Sequence, residues 1–355
     1  MKILFIPNWN VKRLSADDPT VQPPDKVVDG EPYWFFRYFP PGTRVDVLDR
    51  GGKSWLRNLE ERIKFYIKQP VKAFLRRNDY DLVISHGAQS GLVYELLASF
   101  ARRKPAHIMI DVGGLNGARI NRTETPLIRW ALRQGPHVVV HSSRQLGLYS
   151  HYPALQPKAR FIPFGADQHF FQPEAVPVQR TIVSFGHRKR DYDTLLRAFE
   201  SIADHRGYNL FIVGDTGMQP TAALRDVSMM PRVTIDELQR YLARCSFVAL
   251  PLPEYQYSYG QMSLLQSMLM GKTVVATSTT STADYIDGAP GVIPVGVGDA
   301  EQLAGAISRA MDLGDEERAR LGNLNRQHVI NNFPEERMGT ELASLAREAI
   351  DEKQP

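Results

Sequence analysis

The chain has 355 residues, 43% of them apolar, which is enough to bury two cores and makes two domains the first expectation. Its one cysteine, Cys245, excludes an internal disulfide framework and points to a reducing compartment, with the thiol as a small core residue. The net charge of +4 conceals an asymmetry: residues 1–165 carry 25 Lys and Arg against 14 Asp and Glu, a net +11, whereas residues 166–355 carry 18 against 25, a net −7. No zinc spacing, RNA-binding signature or recognition-helix pattern accompanies the basic half, which argues against nucleic acid and for an anionic membrane surface or a lipid diphosphate.

Met1–Pro7 is too short an apolar run for a signal peptide, lacks a small-residue cleavage site and reads as a first strand over Lys2–Ile6. No uninterrupted apolar run reaches the ~18 residues of a membrane-spanning helix, so a soluble or peripheral protein is expected. Pro7-Asn8-Trp9-Asn10 follows the first strand where a dinucleotide-binding chain has Gly-x-Gly-x-x-Gly, which counts against a dehydrogenase. Tyr33–Phe39 reads as the start of a helix whose aromatic side chains are mostly core.

Lys53–Arg77 places Leu56, Leu59, Ile63, Ile67, Val71 and Phe74 at helical spacing and sets eight Lys and Arg against two Glu, with Pro70 dividing it into two helices. Such a segment suits either an anionic bilayer surface or an ordinary lobe helix with its apolar side in the core. Further strands are read at Arg44–Leu48, Leu82–Ser85, His107–Ile110, His137–His141 and Arg160–Ile162. A proline-stiffened junction, Ile162-Pro-Phe-Gly165-Ala-Asp167, leads to a second series at Thr181–Phe185, Asn209–Val213, Val233–Ile235, Phe247–Leu250, Thr273–Thr277 and Gly291–Pro294. Strands alternating with helices predict two open parallel sheets.

Two motifs carry the chemistry. Val183-Ser-Phe-Gly186-His-Arg-Lys-Arg190-Asp-Tyr-Asp-Thr-Leu-Leu196 is a strand, a basic turn and a helix start; Asp191 is expected to cap that helix rather than to bind metal with Asp193. Tyr257-Ser-Tyr-Gly260-Gln-Met-Ser-Leu-Leu-Gln266-Ser-Met-Leu-Met-Gly271-Lys-Thr-Val-Val-Ala276 is a glycine loop, a helix and a buried strand, a place where a helix N-terminus can hold phosphate. These segments resemble the donor-nucleotide motifs of the retaining, family 4-like glycosyltransferases (glycosyl transferases group 1) of the GT-B fold.

The resemblance implies an α/β protein of two Rossmann-like lobes facing a cleft: an acceptor lobe over 1–167, a nucleotide-sugar lobe over 168–334 and a tail helix over 335–355 returning to the first lobe. It implies transfer of a hexose from a UDP- or GDP-linked sugar to a glycan or lipid-linked acceptor in polysaccharide or cell-envelope synthesis, without a metal or other cofactor. It places Arg190 with Arg188, or His187 in its stead, on the donor diphosphate together with Gly260, Gln261 and Met262. Tyr257, Ser258, Gln266 and Asp284 fall where relatives hold ribose and sugar, and Arg232 where they hold the base. The family's two glutamates are replaced by Ser258 and Gln266.

That departure favours inversion, which requires a base at the mouth of the first lobe. Asp111 follows an apolar strand and precedes Gly113-Gly114, and His86 is placed alike after its own strand, so Asp111 is the expected base with His86 second. Tyr33 or Trp34 is available to stack on an acceptor sugar. The location expected is cytoplasmic, in peripheral contact with the inner face of the membrane. The other readings are a non-catalytic sugar-nucleotide-binding partner protein and a GT-B sugar-nucleotide epimerase.

Overall fold

The computed structural model describes residues 1–51, 60, 66–113, 132–133, 135–186, 189–214 and 226–353. Arg188, His187, most of Lys53–Tyr66 and the segment after Gly113 therefore lie outside the described residues. In chain order the first half forms β1 (Lys2–Pro7), β2 (Lys12–Leu14), β3 (Lys26–Val28), β4 (Arg44–Val47), α1 (Lys68–Leu75), β5 (Leu82–His86), α2 (Ala88–Ala98), β6 (Ala106–Ile110), β7 (His137–Val140) and β8 (Ala159–Phe161). Its main sheet has the order β4-β1-β5-β6-β7-β8, with all neighbours parallel. The second half forms β9 (Gln179–Phe185), α3 (Tyr192–Ser201), β10 (Asn209–Val213), β11 (Val227–Met230), α4 (Ile235–Arg244), β12 (Cys245–Leu250), α5 (Gln261–Leu269), β13 (Val274–Thr277), α6 (Ala283–Ile286), β14 (Val292–Val295), α7 (Ala300–Asp312), α8 (Asp315–Asn332) and α9 (Glu335–Asp351). Its sheet, β11-β10-β9-β12-β13-β14, is again parallel throughout.

Strands β5, β6, β7, β12 and β13 are buried at every position, as parallel strands covered on both faces must be. In each sheet the strand order reverses about one central pair: β1 and β5 in the first, β9 and β12 in the second. A reversal opens a crevice outside the carboxyl ends of those strands, and this is where such sheets hold ligands.

Two chain crossings join the lobes, and they are bonded to each other. Ala166 N donates to Phe333 O (3.0 Å) and Glu335 N to Ala166 O (3.1 Å). Gly165 has no side chain because a Cβ there would stand 2.7 Å from both the Cα of Glu335 and the carbonyl of Pro334. Arg37 closes the joint by pairing with Asp167 (2.7 Å) on one crossing and with Glu335 on the other. Beyond it, Met338, Leu342, Leu345 and Ala346 of α9 enter the first lobe's core beside Ile3, Phe5 and Ile108.

Two local expectations need correction. The weak strand expected at Val233–Ile235 is a helix start: Thr234 and Glu237 form a reciprocal capping box, and the strand lies earlier, at Val227–Met230, stopped by Pro231. Tyr33 and Trp34, offered for sugar stacking, are 5% and 6% exposed and lie in the aromatic core, with the Tyr33 hydroxyl on Pro24 O (2.7 Å). In the described part of Lys53–Arg77 the apolar side is divided: Phe74 packs half-buried against the core cluster of Leu4, Ile6 and Tyr94, whereas Ile67 is 42% exposed.

Candidate active site

At the second lobe's reversal, β9 is followed by Gly186, whose φ of +142° is open to glycine and strained for other residues. Arg190 folds back over it. A Cβ on Gly186 would lie 2.6 Å from the Nε and Nη2 of Arg190. The guanidinium donates from Nε to Phe185 O (3.3 Å) and from Nη2 to Ser263 Oγ (2.7 Å), and lies 5.0 Å from the centre of the Tyr259 ring. Its Nη1 is buried with no hydrogen-bond partner. Ser263 is in the first turn of α5, where the backbone N–H groups have no intrahelical acceptors, so a fixed cation and a helix N-terminus converge on one corner. Gly260 makes that corner: at φ +89° it caps α5, and a Cβ would stand 2.7 Å from Leu252. Asp191 caps α3 by accepting from Thr194 N (3.2 Å), as expected.

Opposite, His86 ends β5, and Asp111 and His141 directly follow β6 and β7. His86 is packed edge-on against Trp9 (4.7 Å between centroids), and its Nδ1 is buried without a partner. Burial, and secondarily the nearby His141, push its pKa down to about 3, so the ring is neutral near pH 7 and weakly basic. Burial likewise lowers His141 to about 4, and its Nδ1 bonds Ile162 O (2.7 Å), which fixes the proton on that nitrogen. Asp111 is wholly enclosed. Its Oδ2 accepts from Tyr149 Oη (2.7 Å) and Gln145 Nε2 (3.3 Å), and its Oδ1 from Gly113 N (3.0 Å). Burial and the Asp111 charge keep the Tyr149 phenol protonated far into the alkaline range, and thus a donor.

The positions matched to sugar and ribose meet the first lobe directly. Ser258 Oγ donates to Gln145 Oε1 (3.0 Å) and accepts from His141 N (3.3 Å), so a chain Asp111–Gln145–Ser258 crosses between lobes. Asp284 accepts from both the backbone N (2.8 Å) and the hydroxyl of Ser143. Gln261 reaches His141 O and Gln266 reaches Gln22 Oε1, each at 3.5 Å. Tyr257 lays its ring against Gly113, where a Cβ would be 2.9 Å from Cδ2. Met262 is 39% exposed and borders a small interlobe cavity with Gln266, Trp34 and Glu335. Arg232 is exposed after β11; its charge reaches Asp25, whose carboxyl is raised by burial and lowered by a bond from Gln22 (2.8 Å), the partner of Gln266, and by Arg232.

Sequence reasoning missed Tyr285, Gln145 and Tyr149. Tyr285 Oη donates to His141 O (2.6 Å) and accepts from Phe164 N (2.8 Å), tying second lobe, first lobe and linker together. Nothing in their local sequence marks these residues. It also missed the surroundings of Lys189, whose ammonium bonds Tyr257 Oη (3.1 Å) and lies 5.3–5.6 Å from the rings of Tyr255, Tyr257 and Tyr259. The repeated Tyr-x-Tyr-x-Tyr spacing was its available signal. Away from the cleft, a cavity of about 260 Å³ lined by Gln179, Arg240, Tyr241 and Arg244 lies at the amino edge of the second sheet. Among the described residues the one cluster with metal-ligating proximity is His137, Glu348 and Glu352, on α9 and the amino end of β7.

Residues 179–312 match the family described as Glycosyl transferases group 1. No curated protein matches the chain by sequence. In structure it is similar to HepE of Anabaena in complex with UDP-glucose, at 14% identity over 98% of this chain and 100% of that one, with a TM-score of 0.72. It is also similar to sucrose-phosphate synthase from Thermosynechococcus elongatus (17%, 99% and 100%, TM-score 0.69) and to a glycosyltransferase from Rickettsia africae (16%, 99% and 99%, TM-score 0.68). The fold is GT-B, shared over essentially the whole chain.

Proposed function

We propose that this chain is a glycosyltransferase that takes a hexose from a nucleoside-diphosphate sugar held by the second lobe and passes it to a glycan or lipid-linked acceptor held by the first. The observation that carries the reading is the corner of Arg190, Gly186, Gly260 and Ser263, in which a guanidinium with a buried, unpartnered Nη1 points at a helix start beside the strand-order reversal. A guanidinium stays charged at any working pH and binds two oxygens at once, and the helix start adds backbone donors, so the corner fits a diphosphate. The UDP and UDP-glucose complexes of the Anabaena neighbour support the same donor class. Cation and helix together can neutralise a leaving diphosphate without a metal ion.

Inversion with Asp111 as base is the mechanistic form of the proposal, supported by its place at the end of β6. To take the acceptor proton, Oδ2 must exchange its bonds from Tyr149 and Gln145 for one from the acceptor hydroxyl. Gln145 is the bond that lobe opening would disturb, since its other end holds Ser258. A non-catalytic sugar-nucleotide-binding protein is the second reading, favoured by the engagement of Ser258, Asp284 and Gln266 with the first lobe.

A screen of UDP- and GDP-sugars for thermal stabilisation, followed by product analysis with the stabilising donor, tests both. Stabilisation with transfer to an added glycan supports the enzyme; stabilisation without transfer supports the binding protein. Free-donor isomerisation would make it an epimerase, and no stabilisation by any sugar nucleotide would remove the donor site.

A further inference from the structure

Leu75 and Phe100 are the most exposed large apolar side chains among the described residues, at 70% and 69%. Leu75 is the last residue of α1 and Phe100 lies two residues past the end of α2. Both helices lead into strands of one parallel sheet, β5 and β6, and pack against each other, so their C-terminal ends emerge side by side at the amino edge of that sheet. The two ends are bonded: Arg77 Nε donates to Arg103 O (3.3 Å), with its guanidinium 4.1 Å from the centre of the Phe74 ring.

The charges around this apolar pair are mostly positive. Among the described residues, Lys72, Arg102 and Arg103 have exposed side chains with no hydrogen-bond or ion-pair partner, and Arg77 bonds only carbonyl oxygens. The nearby acids are largely taken up. Asp46 pairs with Arg76, Glu95 is buried with His107 and Lys104, and Asp81 accepts the Lys2 N–H, leaving Asp79 toward solvent. Further along the edge the charges are paired, Lys104 with Glu95 (3.4 Å) and Lys158 with Glu352 (3.3 Å), so the unpaired positive charge is concentrated at the rim itself.

We propose that this rim docks on an anionic phospholipid bilayer, with Leu75 and Phe100 entering the headgroup–acyl boundary and Arg77, Arg102 and Arg103 facing lipid phosphates. Guanidiniums bind phosphate oxygens in pairs, and exposed apolar side chains among cations are what an interfacial anchor needs. The surface lies at the C-terminal ends of α1 and α2 and on the segments that follow them, beyond Ala73, which is buried in the core. The catalytic cleft is on the opposite edge of the sheet, about one strand length (~17–20 Å) away, so the rim can be altered without touching the diphosphate corner.

Co-sedimentation of the full chain with phosphatidylglycerol-containing vesicles, against vesicles of phosphatidylcholine alone, tests this. Binding is expected to the first, to weaken with salt and to be absent from the second. Each basic residue near such a surface is worth about fivefold in partitioning, so Arg102→Glu/Arg103→Glu should lose about 25-fold or more. Arg102→Gln/Arg103→Gln should lose less, Leu75→Ser/Phe100→Ser several-fold, and Arg240→Glu/Arg244→Glu on the second lobe nothing. Melting temperature and affinity for nucleoside diphosphate should be unchanged in all the rim variants, which separates failure here from failure of the donor site. Absent binding to anionic vesicles, equal binding to neutral ones, or indifference to either rim pair would overturn the proposal.

Discussion

Arg190 lies across Gly186 so closely that a methyl group on the glycine would stand 2.6 Å from the guanidinium, which makes the two residues one structural unit. The glycine needs its positive φ, and the arginine needs the glycine's missing side chain to lie beside Ser263. Arg190→Ala is expected to weaken nucleoside-diphosphate binding by about 1.5–3 kcal/mol, the scale of a hydrogen bond to a charged group. Gly186→Ala should weaken it in the same direction by displacing the guanidinium, and should also lower stability by roughly 1–3 kcal/mol for the strained backbone. Titration calorimetry checks both; unchanged affinity in Arg190→Ala would remove the phosphate role from that residue.

Gly260 faces a similar restriction from Leu252, at 2.7 Å from its absent Cβ. Gly260→Val combines that clash with an unfavourable φ at the cap of α5, so it should both reduce donor affinity and lower the melting temperature. Gly260→Val/Leu252→Ala, which relieves the clash but not the φ, should recover part of the loss. No recovery would locate the whole effect in the backbone.

For Asp111, the enclosing bonds make a two-variant test possible. Asp111→Asn should keep nucleoside-diphosphate binding and reduce turnover by about 10²–10⁴-fold, the contribution of a positioned base. Tyr149→Phe removes one of the carboxylate's donors and should leave turnover within about tenfold of the native rate if Asp111 takes the proton. Product anomeric configuration, read by NMR, completes the test: retention of configuration, or a near-normal rate in Asp111→Asn, would end the base role.

His86 and His141, whose burial lowers their pKa, make stability depend on pH. In the unfolded chain both take up protons near pH 6.5, whereas the folded state keeps His86 neutral down to about 3 and His141 to about 4. Their contribution is therefore fully present above about pH 6.5 and is lost as pH falls through that window, at about 1.4 kcal/mol per pH unit for each histidine. Glu335 acts in the opposite sense between its ordinary value and the value of about 7 to which burial raises it against the pull of Arg37. The decisive quantity is thus a difference: urea unfolding between pH 7 and 5 should show a shallower pH slope for His86→Asn than for the native chain. Equal slopes would mean that His86 is not held neutral by the fold.

Much of this protein was legible in its sequence because the signals are local. Apolar strand runs, glycines at strand ends and the Asp191 cap each act within a few residues, so two parallel sheets and the glycine loop before α5 could be read directly, whereas the return of the tail helix came only from the family resemblance. The strand placed at Val233–Ile235 went wrong by weighing three β-branched residues above the Thr234-x-x-Glu237 capping signal, which was also local and also present. Tertiary structure decided what depends on distant partners. Asp111 is enclosed because Tyr149, 38 residues later, donates to it, and Ser258 bonds Gln145 across 113 residues. The burial of Tyr33, Trp34 and Ala73, and the packing of α1 on α2 that brings their C-terminal ends to one edge, likewise follow from how helices pack on a sheet. Residue type and spacing state which chemistry a chain can offer, whereas burial and hydrogen-bond partners, set only when remote segments meet, determine which groups are free to perform it.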